Sequence, residues 1–113
     1  MELKQCGRSG LYLSALGLGT LTWGRDTDGP EAHDMLKAFV DAGGNLVECS
    51  PAHGDGTAVD VLSEGLSSIG RHRVALVWRG AVRRAGEGTW VSAAGRGDLL
   101  RSLDDALARL DTD

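Results

Sequence analysis

Residues 74–78 read Val-Ala-Leu-Val-Trp, apolar at every position. A strand with one wet face would alternate polar and apolar residues. An unbroken apolar run of this length belongs to a strand covered on both faces, as parallel strands tend to be. Its surroundings agree. Asp28-Gly29-Pro30-Glu31 reads as a helix start, with Asp28 placed to cap and Pro30 already holding a helical φ. Ala32, Met35, Leu36, Phe39 and Val40 then recur at helical spacing until Gly43-Gly44 stops the helix. Leu46-Val47-Glu48-Cys49 is a short strand. Thr57 opens a second helix with Val61, Leu62, Leu66 and Ile69 on one face, ended by Gly70. The last helix carries Leu99, Leu103, Ala106, Leu107 and Leu110 as an apolar stripe.

Ahead of these units lie two extended runs, Leu3 to Cys6 and Leu11 to Leu16, around Gly7-Arg8-Ser9-Gly10. Glycines able to take positive φ mark this as a hairpin. Leu16 to Thr20 follows as a strand whose glycines permit close approach of backbone or ligand. Ala85 to Gly97 shows no period and reads as a Gly-rich loop. Strands alternating with helices predict an α/β fold: an N-terminal β-hairpin, then three βα units of a parallel sheet with right-handed crossovers. A chain of 113 residues has room for one such domain, spanning residues 1–113.

Composition narrows the function. Hydrophobic residues at 42% and charged residues at 25% are ordinary for a globular chain. The aromatic share is 4%, so the core must come from Leu, Val and Ala. A net charge of −4 repels nucleic acid, and Arg71, His72, Arg73, Arg79, Arg83 and Arg84 read as a solvated basic cluster. No apolar stretch approaches the ~20 residues that span a bilayer, so no membrane partner is expected. Cys6 and Cys49 lack zinc-type or C-x-x-C spacing and read as a reduced pair. With no signal-peptide pattern at Met-Glu-Leu-Lys-Gln, the expectation is a cytoplasmic chain.

The segments Gly7-Arg8-Ser9-Gly10-Leu11 and Ser14-Ala15-Leu16-Gly17-Leu18-Gly19-Thr20 resemble the opening hairpin and first strand of the aldo/keto reductase family. Gly43-Gly44-Asn45-Leu46-Val47 and the Gly54-Asp55-Gly56 turn are similar to its second strand and following loop. Arg101-Ser102-Leu103 through Ala108-Arg109-Leu110-Asp111-Thr112-Asp113 resembles its helix and turn before the fourth strand. The likeness covers nearly the whole chain and only the first three of the eight βα units of a (β/α)8 barrel. It implies a partial TIM-like barrel.

The family reduces carbonyls with NADPH through aspartate, tyrosine, lysine and histidine. The resemblance sets Glu48 at the aspartate, His53 at the tyrosine and Arg79 at the lysine. The histidine falls on a fourth strand, beyond the three units matched. Gly19, Thr20 and Leu21 fall where the family's backbone approaches the nicotinamide, a vestigial NADP(H) contact. Glu48 is one methylene longer than aspartate, and a planar guanidinium replaces a compact ammonium poorly. The resemblance therefore implies a truncated, degenerate reductase-like chain without oxidoreductase activity. Two alternatives stand beside it: a weak NADPH-dependent carbonyl reductase completed by a second chain, and a non-catalytic module that self-associates or pairs with another α/β barrel chain.

Other chemistry is conceivable at the same place. Glu48, Cys49 and His53 lie at one strand end and its loop, compatible with a Cys-His nucleophile or a metal site, although a cysteine on a buried strand is more often core. No metal is expected. His33, after the first turn of its helix, reads as exposed. Trp23 aligns near the family's substrate pocket, Trp78 reads as core or as filler beside Arg79, and Trp23, Trp78 and Trp90 are too scattered to form a stacking platform. Three strands cannot close a barrel, so the outer strands are expected to carry unpaired edges and the inner sheet face to be bare and apolar.

Overall fold

The computed structural model describes all residues, 1–113. It opens with an antiparallel hairpin of β1 (Leu3–Gln5) and β2 (Tyr12–Ser14), with Gly7 at positive φ in the turn. Three parallel strands form the central sheet: β3 (Gly17–Gly19), β4 (Leu46–Cys49) and β5 (Ala75–Trp78), in that spatial order. Between them run α1 (Gly29–Asp41) and α2 (Ala58–Ile69), and α3 (Arg96–Arg109) follows β5. Gly19 pairs with Glu48, and Cys49 with Trp78, so the strands end level with one another. That common end carries the candidate site.

Local chemistry explains the elements. Asp28 caps α1 by accepting the Glu31 N–H at 2.9 Å, and Gly43 takes φ +87° beyond its last turn. Ala32, Leu36 and Val40 of α1 pack with Ala58, Val59, Leu62 and Leu66 of α2 onto Val47 and Cys49. Alternation along β4 sends Val47 and Cys49 to the helices and Leu46 and Glu48 to the other face. The hairpin is tied under the sheet by Asn45, whose Oδ1 accepts the Ser14 N–H at 2.7 Å, while Ser14 Oγ accepts the Leu46 N–H at 3.2 Å.

Several expectations are corrected. The stretch from Ala85 to Gly97 is not a loop. Its first part belongs to a second antiparallel hairpin, β6 (Val82–Gly86) and β7 (Thr89–Ser92), turning at Gly88 with φ +63°. Interspersed arginines and glycines hid the alternation. The run 74–78 is not covered on both faces, since Val77 is 42% exposed. Only the Leu76 and Trp78 side meets the helices. The inner sheet face is also less apolar than expected: it consists of Gly17, Gly19, Leu46, Glu48, Ala75 and Val77. The α3 stripe is buried only toward its end, at Ala106 and Leu110, while Leu99 and Leu103 lie exposed. Met35 of α1 is exposed as well.

Polar and aromatic residues moved too. His33 is half-buried and hydrogen-bonds the Val61 carbonyl through Nε2 at 2.9 Å. Trp23 is a core residue, 1% exposed. The basic cluster does not exist as one patch. Arg71 caps the Val74 carbonyl, Arg73 faces Asp41, Arg79 binds Glu48, and Arg84 binds Asp55. Both cysteines are free thiols. No helix is long and apolar enough to cross a membrane. The whole is a slab of 40 × 36 × 21 Å with both outer parallel strands, β3 and β5, unpaired on one edge.

Candidate functional site

Barrel-type folds place chemistry at the carboxyl ends of their parallel strands, where loops from several strands converge. Here that end gathers Thr20 after β3, Glu48 and Ser50 at the end of β4, His53 in the loop beyond, and Arg79 after β5. Thr20 is fully buried, and His53 is 6% exposed. Its loop owes its path to a tight turn, His53–Gly56, in which Gly54 and Asp55 both take left-handed φ, 59° and 54°. The Gly54 N–H donates to the Leu21 carbonyl at 2.9 Å, and Thr57 Oγ1 donates to the Gly54 carbonyl at 2.7 Å. These bonds fold the loop back over β3 and set the imidazole against Thr20.

The polar contacts are specific. Thr20 Oγ1 donates to the Glu48 carbonyl at 3.1 Å and lies 3.0 Å from His53 Nδ1. Arg79 Nη1 donates to Glu48 Oε1 at 2.9 Å. Ser50 Oγ donates to the Arg79 carbonyl at 3.2 Å and pins the backbone there. The Glu48–Arg79 pair is largely solvated, with side chains 35% and 67% exposed, so it is worth at most about 1 kcal/mol. Its importance is occupancy: each partner's charge is directed at the other.

Burial depresses the His53 pKa below the ordinary imidazole value; the Glu48 charge opposes this and the Arg79 charge adds to it. The ring is therefore neutral at pH 7 and a weak acid only below its lowered pKa. Burial also raises the Cys49 thiol, with a hydrogen bond to Thr20 working the other way. Cys49 points to the helix side of β4 and Glu48 to the opposite side, so the two cannot share a ligand. No cluster of three or more His, Cys, Asp or Glu side chains is gathered to hold a metal. A thiolate nucleophile is equally unsupported, since the thiol is buried and protonated.

Of the sequence-derived candidates, Glu48, His53, Arg79 and Thr20 come together at one end of the sheet. Gly19 sits on the open inner face with free space beside its Cα. Leu21 is 61% exposed and touches the site only through its backbone carbonyl, which receives Gly54 N–H. Sequence reasoning missed Thr20 as a partner of His53 and missed Ser50 altogether. No local signal marks either, because each contact joins residues about thirty apart in the chain.

The sequence profile of the aldo/keto reductase family matches residues 15–113. This chain belongs to the aldo/keto reductase family. A rice protein (Oryza sativa subsp. japonica) described as a voltage-gated potassium channel subunit beta is 31% identical across the whole chain, which covers 35% of that protein. A solved structure of an aldo-keto reductase from Pseudomonas aeruginosa superposes with a TM-score of 0.86 at 32% identity, over 98% of this chain and 42% of its own. The holo form of an aldo-keto reductase from Bacillus halodurans, at 24% identity and a TM-score of 0.84, has the same fold. The chain thus spans between a third and a half of the length of these relatives. Its three-stranded parallel sheet with flanking helices is part of a TIM-type barrel.

Proposed function

We propose that this chain is a degenerate aldo/keto reductase-like domain without oxidoreductase activity of its own. The observation that carries the reading is the Glu48–Arg79 ion pair beside a buried, neutral His53. Carbonyl reduction needs a proton donor of matched pKa close to the hydride acceptor, and such general acid catalysis contributes ~10²–10⁴-fold. A neutral imidazole tied to Thr20 is a poor donor at pH 7. The guanidinium at the lysine position is spent on Glu48 and lies 67% exposed, away from any contact with His53 closer than a through-space charge effect.

The residues present do not fit NADP(H). Thr20, at the expected nicotinamide contact, has its hydroxyl occupied by Glu48 and His53. Leu21 offers no polar group from its side chain. No chemical step is therefore assigned through the cofactor. We extend the proposal to a cytoplasmic compartment, with which the free thiols Cys6 and Cys49 are compatible.

The test is direct. The purified 113-residue chain, mixed with NADPH and a simple aldehyde, is expected to consume cofactor no faster than buffer. NADPH fluorescence is expected to stay unchanged on adding the chain. Turnover that disappears in His53→Ala would overturn the reading and favour a weak reductase.

A second reading, of association, is favoured by the open edges of β3 and β5 together with exposed Val77, Leu99, Leu100 and Leu103. In this reading the chain is a binding module that self-associates or pairs with another α/β barrel chain. A relative described as a channel subunit is consistent with such a role. Sedimentation equilibrium at micromolar concentration checks it: a larger species reduced by Val77→Lys supports association, and a strict monomer refutes self-association.

A further inference from the structure

Thr20 Oγ1 lies 3.1 Å from the Glu48 carbonyl oxygen and 3.0 Å from His53 Nδ1, in a pocket that leaves Thr20 no exposed surface. A carbonyl oxygen carries no proton, so the bond between the two oxygens must use the threonine hydroxyl proton. Without it, two oxygen lone pairs would face each other away from water. With that proton committed, Thr20 offers His53 only a lone pair. Nδ1 must then bring its own hydrogen. The Cys49 thiol directs its own proton at the Ser50 carbonyl, 3.9 Å away, and its sulfur is only a weak acceptor for the hydroxyl.

A neutral imidazole has one ring proton, so placing it on Nδ1 leaves Nε2 with a bare lone pair. No protein group hydrogen-bonds Nε2, and no buried side-chain nitrogen or oxygen in the chain lacks a partner. Nε2 therefore keeps contact with solvent.

We infer that Thr20 is a positioning residue that fixes His53 in the Nδ1–H tautomer, presenting Nε2 as a proton acceptor where the family sets its proton donor. This rests on the reading that His53 holds the family's tyrosine position. The site then favours neutral ligands bearing an O–H or N–H group over a carbonyl oxygen, which would meet lone pair against lone pair.

The histidines supply an internal contrast. His33 Nε2 contacts a backbone carbonyl, so His33 must carry its proton on Nε2, the opposite tautomer. Long-range ¹H–¹⁵N correlation of the ¹⁵N-labelled full chain at about pH 8, above the ordinary imidazole pKa of ~6.5, reads both rings. His53, assigned by loss of its signals in His53→Gln, is expected to show a pyrrole-type Nδ1 and a pyridine-type Nε2. His33 is expected to show the reverse. Thr20→Ser should keep the His53 pattern, and Thr20→Val should move it toward Nε2–H.

A wild-type His53 with the proton on Nε2 overturns the inference, as does a Thr20→Val pattern identical to wild type. If Thr20→Val fails to fold, the wild-type and Thr20→Ser spectra still decide. Cofactor turnover with the Nδ1–H pattern intact would sink the inactive reading alone. An inactive chain with the Nε2–H pattern would sink this inference alone.

Discussion

Replacing Gly54 by alanine is the sharpest test of how the site is held. Gly54 sits at φ +59°, where an L-residue pays about 1–2 kcal/mol for the left-handed region. An added Cβ would also fall well inside contact with the Trp23 carbonyl oxygen and 2.7 Å from Thr57 Oγ1. Neither neighbour yields cheaply: one is backbone, and the other is held by hydrogen bonds to the Gly54 and Trp23 carbonyls. Such overpacking typically adds about 1–3 kcal/mol. Gly7 provides the control. Its φ is +58°, and nothing lies within 4 Å of its ideal Cβ, so Gly7→Ala pays the backbone cost alone. Part of that cost is offset, about 0.4–1 kcal/mol, by the stiffer unfolded chain. The expected losses are therefore about 1 kcal/mol for Gly7→Ala and about 2–4 kcal/mol for Gly54→Ala. Stability for a domain of this size is roughly 5–15 kcal/mol, so both are measurable by urea denaturation. The His53 imidazole signals should also move in Gly54→Ala and stay put in Gly7→Ala. Losses that agree within about 0.5 kcal/mol would refute the steric argument and the loop path it depends on.

Other outcomes follow from the same geometry. Because His53 releases its proton more readily folded than unfolded, the unfolded chain binds more protons below about pH 6.5. Its contribution is full above that pH and is lost as the pH falls toward the lowered value, so denaturation midpoints should drop across this window and flatten there in His53→Gln. Asp41, held low by Lys37, and Asp55, held low by Trp90, lose their contributions only in more acidic solution, below the ordinary carboxylate range. Trp90→Phe removes the 2.9 Å indole bond to Asp55 while keeping an aromatic face for the Arg84 guanidinium, 4.6 Å from the ring. It should cost about 1 kcal/mol or less and speed protease cleavage within the hairpin of β6 and β7. Leu36→Ala, at a fully buried core position, should cost about 2–5 kcal/mol by thermal or urea unfolding. Asp28→Ala should cost about 1 kcal/mol through the lost cap on the Glu31 N–H.

Much of the architecture was legible because it is written in local periodicity. Ala32, Leu36 and Val40 recur at helical spacing and are buried, while Met35 of the same stripe is exposed. Gly43 and Gly70 end helices for reasons visible in the chain, since both take positive φ. The hairpin of β6 and β7 was illegible because Arg83 and Arg84 interrupt its apolar pattern, while Trp90 finds its partner in Asp55, 35 residues earlier. His33 looked exposed from its position in α1 and is half-buried because α2 brings the Val61 carbonyl to it.

The sequence by itself determined the N-terminal hairpin, the three alternating βα units and the family. These depend on side-chain type and short-range spacing, which the chain carries whatever its partners. Tertiary structure alone decided what Glu48, His53 and Arg79 contact. Arg79 turns to Glu48 because β4 and β5 end level, and His53 meets Thr20 because the turn at Gly54 folds the loop over β3. A hydrogen bond of about 3 Å is set by backbone paths from distant parts of the chain, and spacing along the sequence cannot fix it.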